Sequence, residues 1–533
     1  MRLIHCVLGF VLLLCAALPA SALDAETIAP LGSNDLMTRI EAIDAIARAG
    51  DEQALTLLQA LQDGEVYVTG DGQVVIYRDE ALDPITLAPL DPQPDDVDSV
   101  ILNNRMRGKL STAIGALRLL SPDAAVRRAS ARAIEGSEDV SLLPILDKAL
   151  ERETEADIRR SLSHTRAILE LKSEDPARRL AAVEVLADSS QRRVHELVSR
   201  LLLKLPSGEF AEPDAEVRAA ATDAVKSIER RLLLLDYFAR FFSGLSLGSI
   251  LLLVALGLAI TYGLLGVINL AHGEMLMIGA YATYVTQEVF KTHFPGAFDW
   301  YVLAAIPVAF VTAALVGMAL ERTVIRWLYG RPLETLLATW GISLFLIQLT
   351  RQIFGAQNVE VANPSWMSGG VEVLNVVLPY NRIAIIAFSF FVLLLMWLML
   401  ARTRLGLFIR SVTQNRTMAS CVGVPTSRVD LMAFGLGSGI AGLAGVALSQ
   451  IGNVGPDLGQ AYIIDSFMVV VLGGVGQLAG TVYAALGLGV LSKFIEPHIG
   501  AVLTKILILV IIIAVIQKRP QGLFALKGRA VEA

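Results

Sequence analysis

Cysteine is almost missing from this 533-residue chain, which has only Cys6, Cys15 and Cys421. Cys6 and Cys15 fall in an N-terminal stretch that reads as a cleavable export signal. Arg2 supplies its positive start, Val7–Leu18 is an apolar run too short to span a membrane, and Ala20-Ser21-Ala22 is an A-x-A cleavage site. One cysteine would then remain, which excludes an intramolecular disulfide. No G-x-x-x-x-G-K-[ST] string occurs, so the chain has no Walker-type phosphate cradle of its own. No basic stripe runs along it, which argues against nucleic-acid binding. The acidic run Asp95, Asp96 and Asp98 lacks EF-hand spacing and reads as a solvated loop. Nothing implies a metal or a cofactor.

Charge is also scarce after Asp236, and the net charge of −6 averages two unlike halves. Hydrophobic residues make up 54% of the chain and the mean hydropathy is +0.57, outside the soluble globular range. From Phe241 to Gln517 at least seven runs of about twenty mostly apolar residues follow one another, the length a ~30 Å hydrocarbon core demands. Backbone amides find no partner in lipid, so the runs must be helices. The expected spans are 241–263, 264–290, 299–325, 333–355, 381–401, 429–451, 461–475, 476–492 and 499–517, nine crossings, of which 461–475 is short. Arginine and lysine cluster at Arg322–Arg331, at Arg402–Arg428 and from Lys518 onward, and these places should be cytoplasmic. The residues before the first span are then outside, as the export signal requires.

Those earlier residues, 23–235, have a helical rhythm rich in Ala and Leu. Similar openings recur at Asp35–Arg39, Asp123–Arg127, Ala156–Arg159, Glu174–Arg178 and Asp214–Arg218, each ahead of an Ala-rich helix. Pro122, Pro176 and Pro213 sit where a first helical turn tolerates proline. The pattern resembles stacked HEAT-like helical pairs, with an ordinary helical bundle as the other reading. Val66–Thr69 and Gln73–Tyr77 around Gly70-Asp71-Gly72 read as an inserted β-hairpin, and Asp83–Asp98 as a loop. The expected fold class is all-α, a polytopic helical membrane domain preceded by an exported helical domain.

Two strings imitate catalytic motifs. Gly244-Leu245-Ser246-Leu247-Gly248 matches a nucleophile elbow but lacks the strand that an elbow needs. Gly437-Ser438-Gly439-Ile440-Ala441-Gly442 matches a dinucleotide fingerprint inside an apolar run. Small residues so spaced let membrane helices pack closely. Two other features rise above packing. Asn269-Leu270-Ala271-His272-Gly273-Glu274 puts three polar residues beside a helix-breaking glycine between two spans. Polar groups at membrane depth are costly and mark pathways or gates; a polar turn at the inner surface is the alternative. The second feature is the loop Gly406–Val424, a short amphipathic helix and a glycine turn, suited to docking on another protein.

At these residues, with Leu472-Gly473-Gly474-Val475-Gly476 and Arg519-Pro520-Gln521-Gly522-Leu523-Phe524, the region 240–526 resembles the LivH-type permeases of branched-chain amino acid ABC transporters. The resemblance implies a second, related permease subunit, two cytoplasmic ATPases, and a periplasmic binding protein that delivers a small-molecule substrate. It implies no enzyme activity in this chain, and placement in a bacterial inner membrane, in contact with lipid. It makes Gly406, Arg410, Thr413, Gln414, Asn415, Met418, Ala419 and Gly423 an ATPase-coupling loop. The pathway or gate would take Asn269, His272, Gly273, Glu274, Asp465, Gly473 and Gly474. The export signal and helical domain ahead of the core resemble the urea-type members, so the expected cargo is urea or a short amide. The alternatives are an amino acid importer permease and an ATP-independent urea channel. The expected layout is 1–22 signal, 23–235 periplasmic domain, 236–526 membrane domain and 527–533 tail.

Overall fold

Helices carry nearly all of the regular structure. The computed structural model describes residues 23–33, 35–49, 52–78, 80–94, 96–266, 268–373 and 376–524. The expected signal, Asp95 and the tail 527–533 lie outside these residues. The chain divides into two compact units between Leu232 and Leu233.

The first unit holds α1 (Ala25–Ile28), α2 (Leu36–Ala49), α3 (Glu52–Asp63), α4 (Asn104–Leu117), α5 (Ala124–Ile134), α6 (Leu143–Arg152), α7 (Ala156–Glu170), α8 (Pro176–Leu186) and α9 (Arg192–Leu201). Side chains start several of them. Asp123 accepts from the Ala125 amide at 2.8 Å and Asp175 from the Ala177 amide at 2.9 Å, pairing donors the first turn leaves free. Pro176 opens α8, whereas Pro122 and Pro213 stand one residue before the capping Asp123 and Asp214, outside the helices. The recurring openings share one device. Arg39, Arg127, Arg159, Arg179 and Arg218 each reach back six residues to a backbone carbonyl, of Ser33, Ser121, Glu153, Ser173 and Glu212. In the fourth copy the arginine that does so is Arg179, one past the Arg178 that closes the sequence pattern. Arg127 also holds buried Glu153 through two nitrogens, and Arg179 holds buried Glu212 likewise.

β1 (Val66–Thr69) and β2 (Val74–Tyr77) pair antiparallel, Val66 opposite Ile76. The adjoining segment is less of a loop than expected: β3 (Ala81–Leu82) and β4 (Val97–Ser99) add to the edges, giving the order β3-β2-β1-β4.

The unit boundary falls inside α10 (Ala215–Leu265), where no proline or glycine occurs before Gly244 to end a helix begun at Asp214. Then come α11 (His272–His293), α12 (Tyr301–Thr323) and α13 (Pro332–Phe354), a hairpin of β5 (Gly370–Val373) and β6 (Val376–Pro379), and α14 (Tyr380–Arg402). Two short helices, α15 (Arg404–Gln414) and α16 (Arg416–Cys421), precede α17 (Thr426–Ser449), α18 (Leu458–Gly473), α19 (Leu478–Ile499) and α20 (Ala501–Lys518). Among the described residues, nine helices thus stand at the nine expected spans. Seven have the length and apolar composition to cross a membrane. α18, with 16 residues, is about 24 Å long, short of the ~30 Å core. α11 is long enough, but His272, Glu274, Gln287, Glu288, Lys291 and His293 make it more polar. The second expected span, 264–290, is corrected: 268–271 are not helical, and the helix starts at His272.

Both catalytic look-alikes are packing seams. A Cβ on Gly248 would lie 2.9 Å from the Leu486 Cα of α19, and one on Gly437 would lie 2.6 Å from the Gly257 carbonyl of α10.

Candidate translocation site at a broken helix

α10 stops at Leu265, and Gly266 turns with φ +65°, a conformation that suits glycine. Asn269, 2% exposed, accepts from the Ala271 amide at 3.0 Å through its own Oδ1, closing a local turn. The Leu270 amide donates to Thr339 Oγ1 at 3.3 Å. α11 then begins with His272 and Glu274 in its first turn.

The depth of this break follows from its neighbours. Ser343 is the twelfth of the 23 residues of α13, and Gly437 the twelfth of the 24 of α17. Ser343 Oγ donates to Glu274 Oε1 at 2.9 Å. A Cβ on Gly257, which faces Gly437, would meet His272 Cε1 at 3.0 Å. The polar segment therefore lies at mid-helix depth inside protein, and the reading of it as a surface turn is overturned. Irregular backbone at such depth persists only where protein or a water-lined path surrounds it.

His272 is fully buried, its Nε2 3.2 Å from the Val254 carbonyl, and its Nδ1 has no partner. Glu274 is 1% exposed; Oε1 has Ser343, and Oε2 has no partner. The two side chains do not pair with each other. Gly273 touches Gly459 of α18, where a Cβ would meet Ile463 Cβ at 2.9 Å, so the first turns of α11 and α18 meet backbone to backbone beside Glu274. An N-terminal first turn also favours a negative charge. Toward the end of α13, Tyr281 is buried with its hydroxyl unpartnered, and Arg351 holds Asp457 at 2.7 Å.

The other expected pathway residues lie elsewhere. Asp465 leaves α18 away from Gly459 and pairs with Lys505 of α20 at 3.0 Å. Gly473 abuts Gly480, and Gly474 (φ +97°) packs on Gln521 and Phe524, where the Leu523 amide donates to Leu472 at 2.8 Å. Two of the recognisable strings thus lock to each other at a helix end. Sequence reading missed Ser343. Its signal was present: Thr335, Thr339 and Ser343, spaced by four, put three buried hydroxyls on one face of α13.

The loop Gly406–Val424 forms two helices with a corner at Asn415, whose side chain caps the second by accepting from the Met418 amide at 2.9 Å. Gly406 lies against the Leu400 backbone, so α15 folds tightly onto the end of α14. Ile409, Val412 and Ala419 face the bundle; Leu407, Arg410, Gln414, Met418 and Val422 face out, and Thr413 Oγ1 donates to the Arg410 carbonyl at 2.9 Å. Gly423 takes φ +88° in open space. Arg416 ties the pair of helices to the bundle through both oxygens of buried Asp430 on α17, with its guanidinium 5.3 Å from the Tyr329 ring. The Asp430 hydrogen bond pushes the Arg416 pKa further up, which keeps it charged.

A polytopic helical membrane protein with a polar break at mid-depth is the architecture of a permease. The model of the family described as branched-chain amino acid transport system / permease component matches residues 240–516, and the chain belongs to that family. It is 29% identical over 294 residues to the high-affinity branched-chain amino acid transport system permease protein BraD of Pseudomonas aeruginosa, covering 54% of this chain and 95% of that one. It is 28% identical over 297 residues to the LivH permease protein of Escherichia coli, covering 54% and 96%. The fructose import permease protein FrcC of Rhizobium meliloti matches at 28% over 271 residues, 48% of this chain and 71% of that one. No solved structure matches the chain significantly.

Proposed function

We propose that this chain is the membrane-spanning subunit of an ATP-driven importer that carries urea, or another short neutral amide, into the cytoplasm. The observation that carries the reading is Glu274, a mid-depth carboxylate beside a broken helix, with one oxygen held by Ser343 and the other unpartnered. A carboxylate accepts two N–H donors side by side, and urea presents such a pair. An amino acid zwitterion would also need a cation, or free backbone N–H groups, for its own carboxylate. Among the described residues, no lysine or arginine hydrogen-bonds to Asn269, His272 or Glu274. The named relatives point to branched-chain amino acids instead, and this is the second reading.

In the proposed assembly, two cytoplasmic ATPases dock on Gly406–Val424. A related permease completes the pathway, and a periplasmic binding protein delivers the substrate. The first unit, read as HEAT-like pairs whose helix starts are braced by the Arg i−6 bonds, stands outside an inner membrane and offers its stacked helices to a periplasmic protein. The test is uptake of labelled urea and labelled leucine by cells that produce the whole transporter. Urea uptake that is lost in Glu274→Gln and not competed by leucine supports the proposal. Leucine uptake with no urea uptake moves the cargo to the second reading. Urea uptake that persists without the ATPases makes the protein a channel.

A further inference from the structure

A second polar cluster lies in the membrane half, on the face of α18 turned away from Glu274. A cavity of about 220 Å³ opens between α10, α18, α19 and α20. Two ion pairs line it. Lys505 Nζ is 3.0 Å from Asp465 Oδ2 and 3.3 Å from the Ala461 carbonyl, and Lys493 Nζ is 2.7 Å from Glu496. The floor is aliphatic, with Leu251 and Met468.

Four charges on an apolar surface are expensive unless something polar meets them. Three of them are also open, Lys505 being 55% exposed and Lys493 and Glu496 about one third, while Asp465 keeps 19%. Lys505 sits on α20 among Leu503, Ile506 and Val510, all more than half exposed and facing lipid or a partner. Three of the four groups lie within about two turns of the helix ends at Ile499 and Ala501, the level at which headgroups meet a bilayer core. The cluster has two positive and two negative members, so it matches a ligand that carries both signs rather than an anion.

We propose that this crevice binds the headgroup of a zwitterionic phospholipid with a primary ammonium, of phosphatidylethanolamine type. The ammonium donates to Asp465 and Glu496, the phosphate accepts from Lys505 and Lys493, and the acyl chains lie along the exposed face of α20. Ethanolamine carries N–H groups that carboxylates can accept; choline has none, and glycerol has no cation. The proposal needs the membrane reading alone and is indifferent to the cargo.

Native mass spectrometry of the full-length protein, released from detergent with equal amounts of phosphatidylethanolamine, phosphatidylcholine and phosphatidylglycerol, tests it. The expected result is at least fivefold preferential retention of phosphatidylethanolamine. Asp465→Asn with Glu496→Gln keeps shape and should erase the preference. If that pair fails to fold, Asp465→Asn alone, checked for an unchanged thermal midpoint, should lower it at least threefold. Equal retention of the three lipids, or a preference untouched by these changes, overturns the proposal. Displacement of the lipid by millimolar leucine also overturns it, in favour of a soluble zwitterion.

Discussion

Glu274 and Ser343 show what one hydrogen bond can decide. Ser343→Ala removes a net contribution of about 1 kcal/mol, so transport should fall roughly fivefold, with normal insertion, in an uptake assay. Glu274→Gln keeps the shape and replaces the carboxyl by an amide; uptake should fall at least tenfold while the purified periplasmic receptor binds as before. Wild-type uptake in Glu274→Gln would leave the residue a packing element. In the first unit, Arg127 holds buried Glu153, and this hydrogen bond holds the Glu153 carboxyl below its ordinary value. A depressed carboxyl stabilises the fold above its unfolded pKa of about 4.3 and loses that contribution as pH falls through the folded value. Protection of segment 121–160 against hydrogen exchange in the full-length protein, relative to the intrinsic rate at each pH, should therefore fall below pH 4. Arg127→Met, which leaves the Glu153 carboxylate only the Thr154 and Glu155 amides, should destabilise the unit at neutral pH and bring that loss of protection to pH 7.

Among the elements, α15 and α16 are the ones that the proposed assembly would drive. They are anchored at a few points: Gly406 on α14, Arg416 on Asp430 of α17, and the Gly423 turn. α17 carries Gly437 and Gly442, which touch α10, α11 and α12 around the broken helix, so a push on Arg416 has a packed route to mid-depth. In the proposed assembly, Arg416→Gln should leave insertion and ATPase co-purification intact and lower the substrate moved per ATP hydrolysed. Gly423→Val, strained at φ +88° by about 1–2 kcal/mol, should do the same through the turn. Unchanged stoichiometry in both variants would remove the coupling role from this loop. The amphipathic pattern announced a single helix and a glycine turn. The corner at Asn415 was visible only as an asparagine, because a residue that caps one helix looks the same as one that merely interrupts a pattern.

Across the whole molecule, protease added to spheroplasts should remove residues 24–232 and leave the membrane half protected; protection of the first unit would invert the orientation read from the arginine clusters. Sequence alone determined that the second half is helical and membrane-embedded, because lipid offers no partner to an unpaired amide and twenty apolar residues have one solution there. It also marked four of the five arginines that recur in the first turns of the helices, although not the carbonyl six residues back. What it could not determine was depth. A run of apolar residues carries no mark for the point where a helix breaks and another starts, and His272 and Glu274 read equally well at a surface. Only the tertiary structure placed them beside the midpoints of α13 and α17. It also sent Asp465 to the opposite face of α18, and tied Gly474 to the C-terminal Gln521 and Phe524. The reason is physical: periodicity fixes which residues share a face, while the partner of each face is chosen by close packing between helices distant in sequence, here through glycines that could have fitted several neighbours.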